Sequence, residues 1–415
     1  MTPAGATVER ERSGSCVRRS VALLVAVITA LIGLTAAQPA RASELVEIEV
    51  TSRHVDILEE PGGGRPGRPP TLHANVMLPD GYDRHNRRGY PVLYLLHGAD
   101  GYYRTWDEQV QALDVMQGFP GIIVMPDGGA FGMYTDWYNR GAFGRPGWMS
   151  YHLIDLRRAI QRRFRIRSGR RWHAIAGVSM GGMGAIRYAA AAPSYFGSAA
   201  AFSGASLDIQ ADETVAVFPA TGVAIGEGAT YDDVWGPPDG YYATANNPQQ
   251  LIPNLQGTRV YITSGEGTPC PEDPPPSAQD AVLEMGLRRQ ADAYVAAARA
   301  AGVDITGAHT CGAHTNPTAR RGLIAAIEWG FFAPVPKRLR SWTYITASSR
   351  GRVHGLRFRF AAQPTSVVRF ERDGRVLRGE GDGTVRILRG SRCELELELP
   401  FETALPSDCE RSKSR

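Results

Sequence analysis

Residues Gly177-Val178-Ser179-Met180-Gly181-Gly182 carry the clearest chemical signal in the chain. They follow a short apolar run, Trp172 to Ala176, and open an Ala-rich segment, Met183 to Ala192, whose composition predicts a helix. A serine held on a sharp turn between strand and helix projects its hydroxyl from the end of a sheet, which is how a G-x-S-x-G pentapeptide works as a nucleophile elbow. So tight a turn leaves no room for side chains at Gly177 and Gly181. Ser179 is therefore the candidate nucleophile, and it requires a base, a carboxylate to orient that base and donors for the developing oxyanion. The plainer reading of the same residues is a Gly-rich turn with a helix-capping serine.

The elements that must position these groups are legible from periodicity. Leu45–Arg53 and Leu72–Leu78 alternate apolar and polar residues and are joined by a Pro/Gly-rich stretch from Glu59 to Pro70, which predicts an antiparallel hairpin. Tyr90–Leu96 and Gly121–Pro126 are almost continuously apolar, as strands covered on both faces are. Arg104–Met116 and Tyr151–Phe164 read as helices, the second with Leu153, Ile154, Leu156, Ile160 and Phe164 on one side and arginines opposite. Beyond the elbow, Ser198–Phe202, Arg259–Thr263 and Val303–Ala308 read as strands, and Asp280–Ala301 and Pro317–Phe332 as helices. Strands alternating with helices imply a mainly parallel α/β sheet. Leu207–Gln256, rich in Asp, Gly, Pro and Tyr, reads as an insertion covering the site. After Pro334-Val-Pro336 the pattern changes to short β-like runs, Arg352–Phe360, Ser366–Glu371, Arg375–Arg378 and Cys393–Leu399.

This divides the chain into a leader at 1–42, an α/β catalytic domain at 43–335 and a small β-rich domain at 336–415. The leader has Arg18-Arg19 before an uncharged run from Ser20 to Ala37, and Ala40-Arg41-Ala42 supplies the small residues of a signal-peptidase site, so cleavage is expected before Ser43. A retained membrane anchor is the competing reading of the same run. The formal charge is +4, but five arginines and two glutamates of the leader account for three of those charges. Nothing in the remainder asks for a nucleic-acid partner, and the basic tail 411–415 reads as a solvated end. Past the leader stand Cys270, Cys311, Cys393 and Cys409, in number and setting suited to disulfides. Cys270–Cys311 and Cys393–Cys409 are the expected pairs, the first flanking the catalytic end of the large domain and the second sharing the C-terminal region. The spacing is not that of a metal site, and no metal or cofactor is expected.

Three blocks, Tyr90–Trp106 (YPVLYLLHGADGYYRTW), Ile122–Tyr138 (IIVMPDGGAFGMYTDWY) and His173–Gly204 around the elbow, resemble in order and spacing the secreted mycolyltransferases of mycobacteria and corynebacteria and their esterase-D-like relatives. The resemblance covers roughly residues 45–335 and implies an α/β-hydrolase fold with a serine nucleophile, a histidine base and an acid. His309 and His314 are the only histidines between Ser179 and Arg352. Gly312-Ala313-His314-Thr315 resembles the family's Gly-Thr-His-Ser, which favours His314, and His309 is expected to pack or hydrogen-bond nearby. For the acid, many α/β-hydrolases use the loop after the strand read as Arg259–Thr263, which offers Glu266, Glu272 or Asp273. The mycolyltransferase branch uses a glutamate on the following helix, in a context that Val282-Leu-Glu-Met285 resembles. Glu284 is thus the first choice and Asp273 the alternative; the plainer reading of Glu284 is a first-turn acid at a helix N-terminus.

The resemblance places the oxyanion donors at the backbone N–H groups of Met180 and Ala99, the latter in the loop opened by His97-Gly98. Asp100 stands near the position of a sugar-contacting arginine of the mycolyltransferases, and Asp136-Trp137 matches a block near the active-site mouth; both are candidate substrate contacts. A structural turn with a packed tryptophan is the plainer account of Asp136-Trp137. The expected activity is that of an exported acyltransferase or esterase forming an acyl-enzyme on Ser179 and acting on a lipid, sugar or glycolipid ester of the cell envelope. A general secreted carboxylesterase is the alternative, and a non-catalytic envelope-binding protein, attached through the C-terminal domain, is the alternative of another class.

Overall fold

The computed structural model describes residues 43–55, 71–139, 146–221, 224, 228–390 and 393–406. The expected leader, most of the hairpin connection before Thr71, Cys409 and the basic tail lie outside these residues. Eight strands form one sheet in the order β1-β2-β4-β3-β5-β6-β7-β8: β1 (Glu44–Thr51), β2 (Thr71–Leu78), β3 (Val92–Leu96), β4 (Ile122–Pro126), β5 (His173–Val178), β6 (Ser198–Phe202), β7 (Arg259–Gly265) and β8 (Asp304–Thr310). β1 pairs antiparallel with β2, as the alternating hairpin implied; β2 also pairs antiparallel with β4, while β4, β3, β5, β6, β7 and β8 run parallel. The five residues of β3, β4 and β6 are all buried, the physical reason these segments carry no polar face. This is the α/β-hydrolase architecture that the resemblance implies.

The elbow helix Met180–Ala191, the long helix Ala278–Ala300 and the closing helix Asn316–Trp329 occupy the places expected of them. Two expected helices differ. Over Arg104–Met116 there is a wide π turn at Thr105–Gln109 and a short helix at Leu113–Met116, separated by Gln111 in the left-handed region (φ 51°). Trp106 explains the break: its buried indole Nε1–H donates to the last carbonyl of β3, Leu96, and holds the segment to the sheet. The helix over Tyr151–Phe164 begins with a second π turn, Tyr151–Leu156, before continuing at Arg157–Arg163.

The insertion is more ordered than its composition suggests. It holds short helices at Asp212–Val217, Tyr231–Trp235 and Tyr241–Asn246, and Leu207, Ile209, Phe218, Tyr231, Val234 and Trp235 join the main core. Beyond Pro336 the chain forms two antiparallel four-stranded sheets. One is β10-β11-β14-β15 (Arg350–Val353, Leu356–Phe360, Thr384–Arg389, Cys393–Glu398); the other is β16-β13-β12-β9 (Phe401–Ala404, Val376–Glu380, Val368–Asp373, Ser341–Thr346). Leu356-Arg-Phe-Arg-Phe360 shows the period: Leu356, Phe358 and Phe360 are buried while Arg357 and Arg359 face water. Phe358 and Phe360 share a core with Trp342, Tyr344 and Phe370 of the other sheet. Three elements that sequence reading left out, β9, β14 and β16, complete these sheets. β9 also docks on the large domain, where Asn254 accepts from the N–H of Ile345 and donates to its carbonyl (2.7 and 2.8 Å), and the Tyr344 hydroxyl donates to Ala191 O (2.8 Å).

Candidate active site

Ser179 lies between β5 and the elbow helix with φ 54° and ψ −121°, a conformation that costs a non-glycine residue free energy and is sustained by its surroundings. Those surroundings are tight. A Cβ on Gly177 would stand 2.3 Å from Gly181 O, and one on Gly181 would stand 2.4 Å from His97 O and 2.6 Å from Leu96 O. The glycines thus let the elbow fold against itself and against the end of β3. The Ser179 N–H donates to Phe202 O, and its carbonyl accepts from Gly182, Met183 and Ala205, so the turn is fixed by four backbone hydrogen bonds.

His314 sits in the turn between β8 and the closing helix, with its N–H donating to Asp280 O (3.2 Å). Its Nε2 is 3.0 Å from Ser179 Oγ and its Nδ1 is 2.9 Å from Glu284 Oε2. Glu284, fully buried in the second turn of its helix, also accepts from the Ser203 hydroxyl (2.6 Å) and the Gly265 N–H through Oε1. Burial alone would raise its pKa, but the hydrogen bonds from His314 and Ser203, the charge of His314 and the Gly265 N–H together hold it below the ordinary glutamate value. An ionised carboxylate only accepts, which assigns the proton of neutral His314 to Nδ1 and leaves the Nε2 lone pair for the Ser179 hydroxyl.

The loops carrying Glu284's partners and His314 are fastened together. Cys270 and Cys311 form a disulfide, as expected, with Cα atoms 5.1 Å apart. Gly267 N–H donates to Gly312 O and Gly312 N–H to Thr268 O. The other expected pair includes Cys409 and so lies outside the described residues.

Asp273 makes a bidentate ion pair with Arg321 (2.8 and 2.6 Å), whose hydrogen bonds hold its carboxyl below the usual range, and it is Glu284 that bonds His314 Nδ1. Glu266 pairs with Arg288, and Glu272 is an exposed neighbour of Arg321. His309, on β8, faces Asp292 (3.2 Å) and is half exposed. Asp280, rather than Glu284, is the first-turn acid of the long helix, where it joins the Ser277 cap. Asp136 and Trp137 form a clamp within the fold: the Asp136 carboxylate accepts from the N–H and hydroxyl of Ser150, and the buried Trp137 indole donates to Gly132 O. Their polar groups are thus engaged inside the protein, as the plainer reading of a structural turn with a packed tryptophan has it.

At the other side of the elbow, Gly98 packs on Ser179: a Cβ placed there would lie 3.4 Å from that of Ser179. The loop is braced by Tyr134, whose hydroxyl donates to His97 O (3.0 Å). Met180 N–H, at the first position of the helix, and Ala99 N–H have no backbone acceptor among the described residues. The exposed Asp100 follows in the left-handed region (φ 57°) with its N–H bonded to Ala130 O (2.7 Å). Sequence reasoning had no signal for Ser203 or Gly265, which engage the acid only because β6 and β7 end beside it.

Known proteins share this framework. An esterase of Mycobacterium tuberculosis is 35% identical over 199 residues, 46% of this chain and 42% of its own. The diacylglycerol acyltransferase/mycolyltransferase Ag85B of Mycobacterium intracellulare is 31% identical over 193 residues, 44% of this chain and 56% of its own. The matches thus span about half the length of these relatives. Among solved structures, Mycobacterium tuberculosis MPT51 superposes with a TM-score of 0.52 at 22% identity, covering 68% of this chain and 96% of its own, a likeness of fold. The family model for "Putative esterase" matches residues 68–318, and the chain belongs to this esterase family.

Proposed function

We propose that the protein is an exported serine acyltransferase or esterase of the mycolyltransferase type, acting on lipid or sugar esters of the cell envelope. The observation that supports it most is the unbroken relay from Ser179 Oγ to His314 Nε2 (3.0 Å) and from His314 Nδ1 to buried Glu284 (2.9 Å). In this reading His314 takes the hydroxyl proton as Ser179 attacks the ester carbonyl, and Glu284 stabilises the imidazolium that forms. The N–H groups of Met180 and Ala99 receive the oxyanion, a term worth about 3–4 kcal/mol per donor in comparable sites. Collapse of the intermediate expels the alcohol, protonated by His314, and leaves the acyl group on Ser179. A second alcohol or water, deprotonated by His314, then removes it.

A general carboxylesterase is the second reading. It is favoured by the esterase relative and by an acid, Asp100, where the mycolyltransferases carry a sugar-contacting arginine. Mass spectrometry of the purified protein offered trehalose monomycolate or a short p-nitrophenyl ester separates the two. Acylation of Ser179 by the glycolipid, followed by transfer to added trehalose, supports the transferase; turnover of the short ester alone supports the esterase. Absence of any adduct on wild type, with Ser179→Ala as the blank, would refute both.

A further inference from the structure

A second cleft lies between the large domain and the C-terminal strands. Its volume is about 520 Å³, within the range of small-molecule sites, and none of Ser179, His314 and Glu284 lines it. Six of its sixteen lining residues are cations, Arg165, Arg167, Arg170, Lys337, Arg338 and Arg352, and none is acidic. Among the described residues none of the six forms an ion pair with a carboxylate. Like charges gathered without counter-charge raise the local potential and destabilise the fold unless an anion joins them.

Two buried groups add to this. Arg170 is 5% exposed and spends its guanidinium on neutral acceptors: the carbonyls of Pro193, Phe196, Gly257 and Pro336 and the Thr258 hydroxyl. No carboxylate is among these partners, so its charge is dispersed over dipoles and not neutralised. His354, 3% exposed, lines the same cleft with its Nδ1 lacking any partner. Burial, then the charges of Arg170 and Arg372, push its pKa down to about 3, so it stands as a neutral ring with a polar atom to offer.

We infer that this cleft binds a phosphorylated sugar or a ligand of similar size bearing a phosphate monoester. Guanidinium forks fit phosphate and carboxylate oxygens alike, but six cations without an acid exceed what one monovalent carboxylate balances, which favours the doubly charged group. A bare ion would fill little of the volume, and the partly buried Phe164 and Ile166 offer a sugar ring apolar surface. The two parts of the chain contribute jointly, Arg165, Arg167 and Arg170 from the large domain and Lys337, Arg338, Arg352 and His354 from the C-terminal region.

Isothermal titration calorimetry on the full-length protein tests this with glucose 1-phosphate, glucose and inorganic phosphate as probes. Glucose 1-phosphate should bind saturably, glucose should not, and inorganic phosphate should compete more weakly. The Lys337→Gln/Arg338→Gln/Arg352→Gln variant, altered at exposed positions, should weaken binding at least tenfold while p-nitrophenyl ester turnover stays within twofold. Arg165→Gln, in the other half of the cleft, should weaken it at least threefold and serves if the triple variant does not fold. Absence of binding by wild type, or unchanged affinity in the folded variants, would overturn the inference. Inorganic phosphate binding as tightly as glucose 1-phosphate would overturn the sugar assignment. Adhesion to phosphatidylglycerol vesicles without binding of soluble glucose 1-phosphate would overturn the cleft in favour of a charged outer surface.

Discussion

Replacing Glu284 by Gln removes one charge and changes almost no volume, so it isolates what the carboxylate does. Glu284 accepts three hydrogen bonds, from His314 Nδ1–H, the Ser203 hydroxyl and the Gly265 N–H. Neither orientation of an amide reproduces that pattern. With its NH2 toward His314 it forces the imidazole into the tautomer that carries the proton on Nε2, which can no longer accept from Ser179. With its oxygen toward His314 it turns its NH2 on the Gly265 N–H, two donors facing each other at a buried site. The oriented, charge-stabilised imidazolium is lost in either case. The expected fall in kcat is about 10³- to 10⁴-fold, or roughly 4–5.5 kcal/mol of transition-state stabilisation. Turnover of a p-nitrophenyl ester measures it, with the acylation burst showing that the first half-reaction is affected and a thermal melt showing that the protein is folded. A loss of less than tenfold in a folded variant would refute the role given to Glu284.

Four further outcomes are expected. Cys270→Ser/Cys311→Ser releases a link across 41 residues, which chain entropy values at roughly 4 kcal/mol; calorimetry should show a lowered melting temperature, and turnover should fall because the loop before His314 is freed. Gly181→Ala drives a methyl into the carbonyls of Leu96 and His97, backbone atoms with little freedom to retreat, and should cost about 1–3 kcal/mol in denaturant melts along with most of the activity. Asp273 has its pKa lowered by Arg321, so the folded state binds fewer protons than the unfolded one. Its stabilisation is complete above the unfolded value near 4 and fades as pH falls through the lower folded value; Asp273→Asn should flatten this part of the stability–pH curve while leaving acylation of Ser179 within a few-fold. Finally, Val282→Ser/Met285→Ser alters two exposed apolar residues beside the acid and should reduce kcat/KM for a long-chain ester by about fivefold, near 1 kcal/mol, with no change for a short one.

The parallel strands were legible because a strand buried on both faces must be apolar along nearly its whole length, and Ser198–Phe202 is found as read. The turn that carries Ser179 was legible for a local reason, the steric demand on its glycines. The buried carboxylate bonded to His314 was not. By ordinary patterning Val282, Leu283 and Met285 would be buried and Glu284 would face water, whereas the structure exposes those three by 70%, 43% and 48% and buries Glu284 completely. From residues alone Glu266, Glu272 and Asp273 were as good, and only the resemblance singled out Glu284. Such a reversal is expected where a site overrides a local rule, because the helix is held by the partners of the carboxylate as well as by its apolar face. Ser203 was hidden for a related reason: its contact with Glu284 joins residues 81 apart through the ends of β6 and the long helix. The insertion hid its apolar residues among Asp, Gly and Pro, and its short helices have too few turns to show a period.

That reversal also bears on the fate of the acyl-enzyme. Transfer and hydrolysis share the relay from Ser179 to Glu284, so the relay does not choose between them; the choice belongs to the groups that govern what reaches the acylated serine. The inner side of the site is closed, with Glu284 fully buried and its three acceptor contacts filled from within. Selection therefore falls to the open side, where Ala99 and Asp100 are exposed after Gly98 packs on Ser179. Asp100 offers an accepting carboxylate where an arginine would donate, so a sugar acceptor would have to present its hydroxyls as donors to it. The turn around Glu284 exposes three large apolar side chains within four residues, Val282, Leu283 and Met285, a surface that an apolar ligand would gain from covering. These exposed side chains and Asp100 are the groups to vary first in testing the proposed lipid-ester substrate.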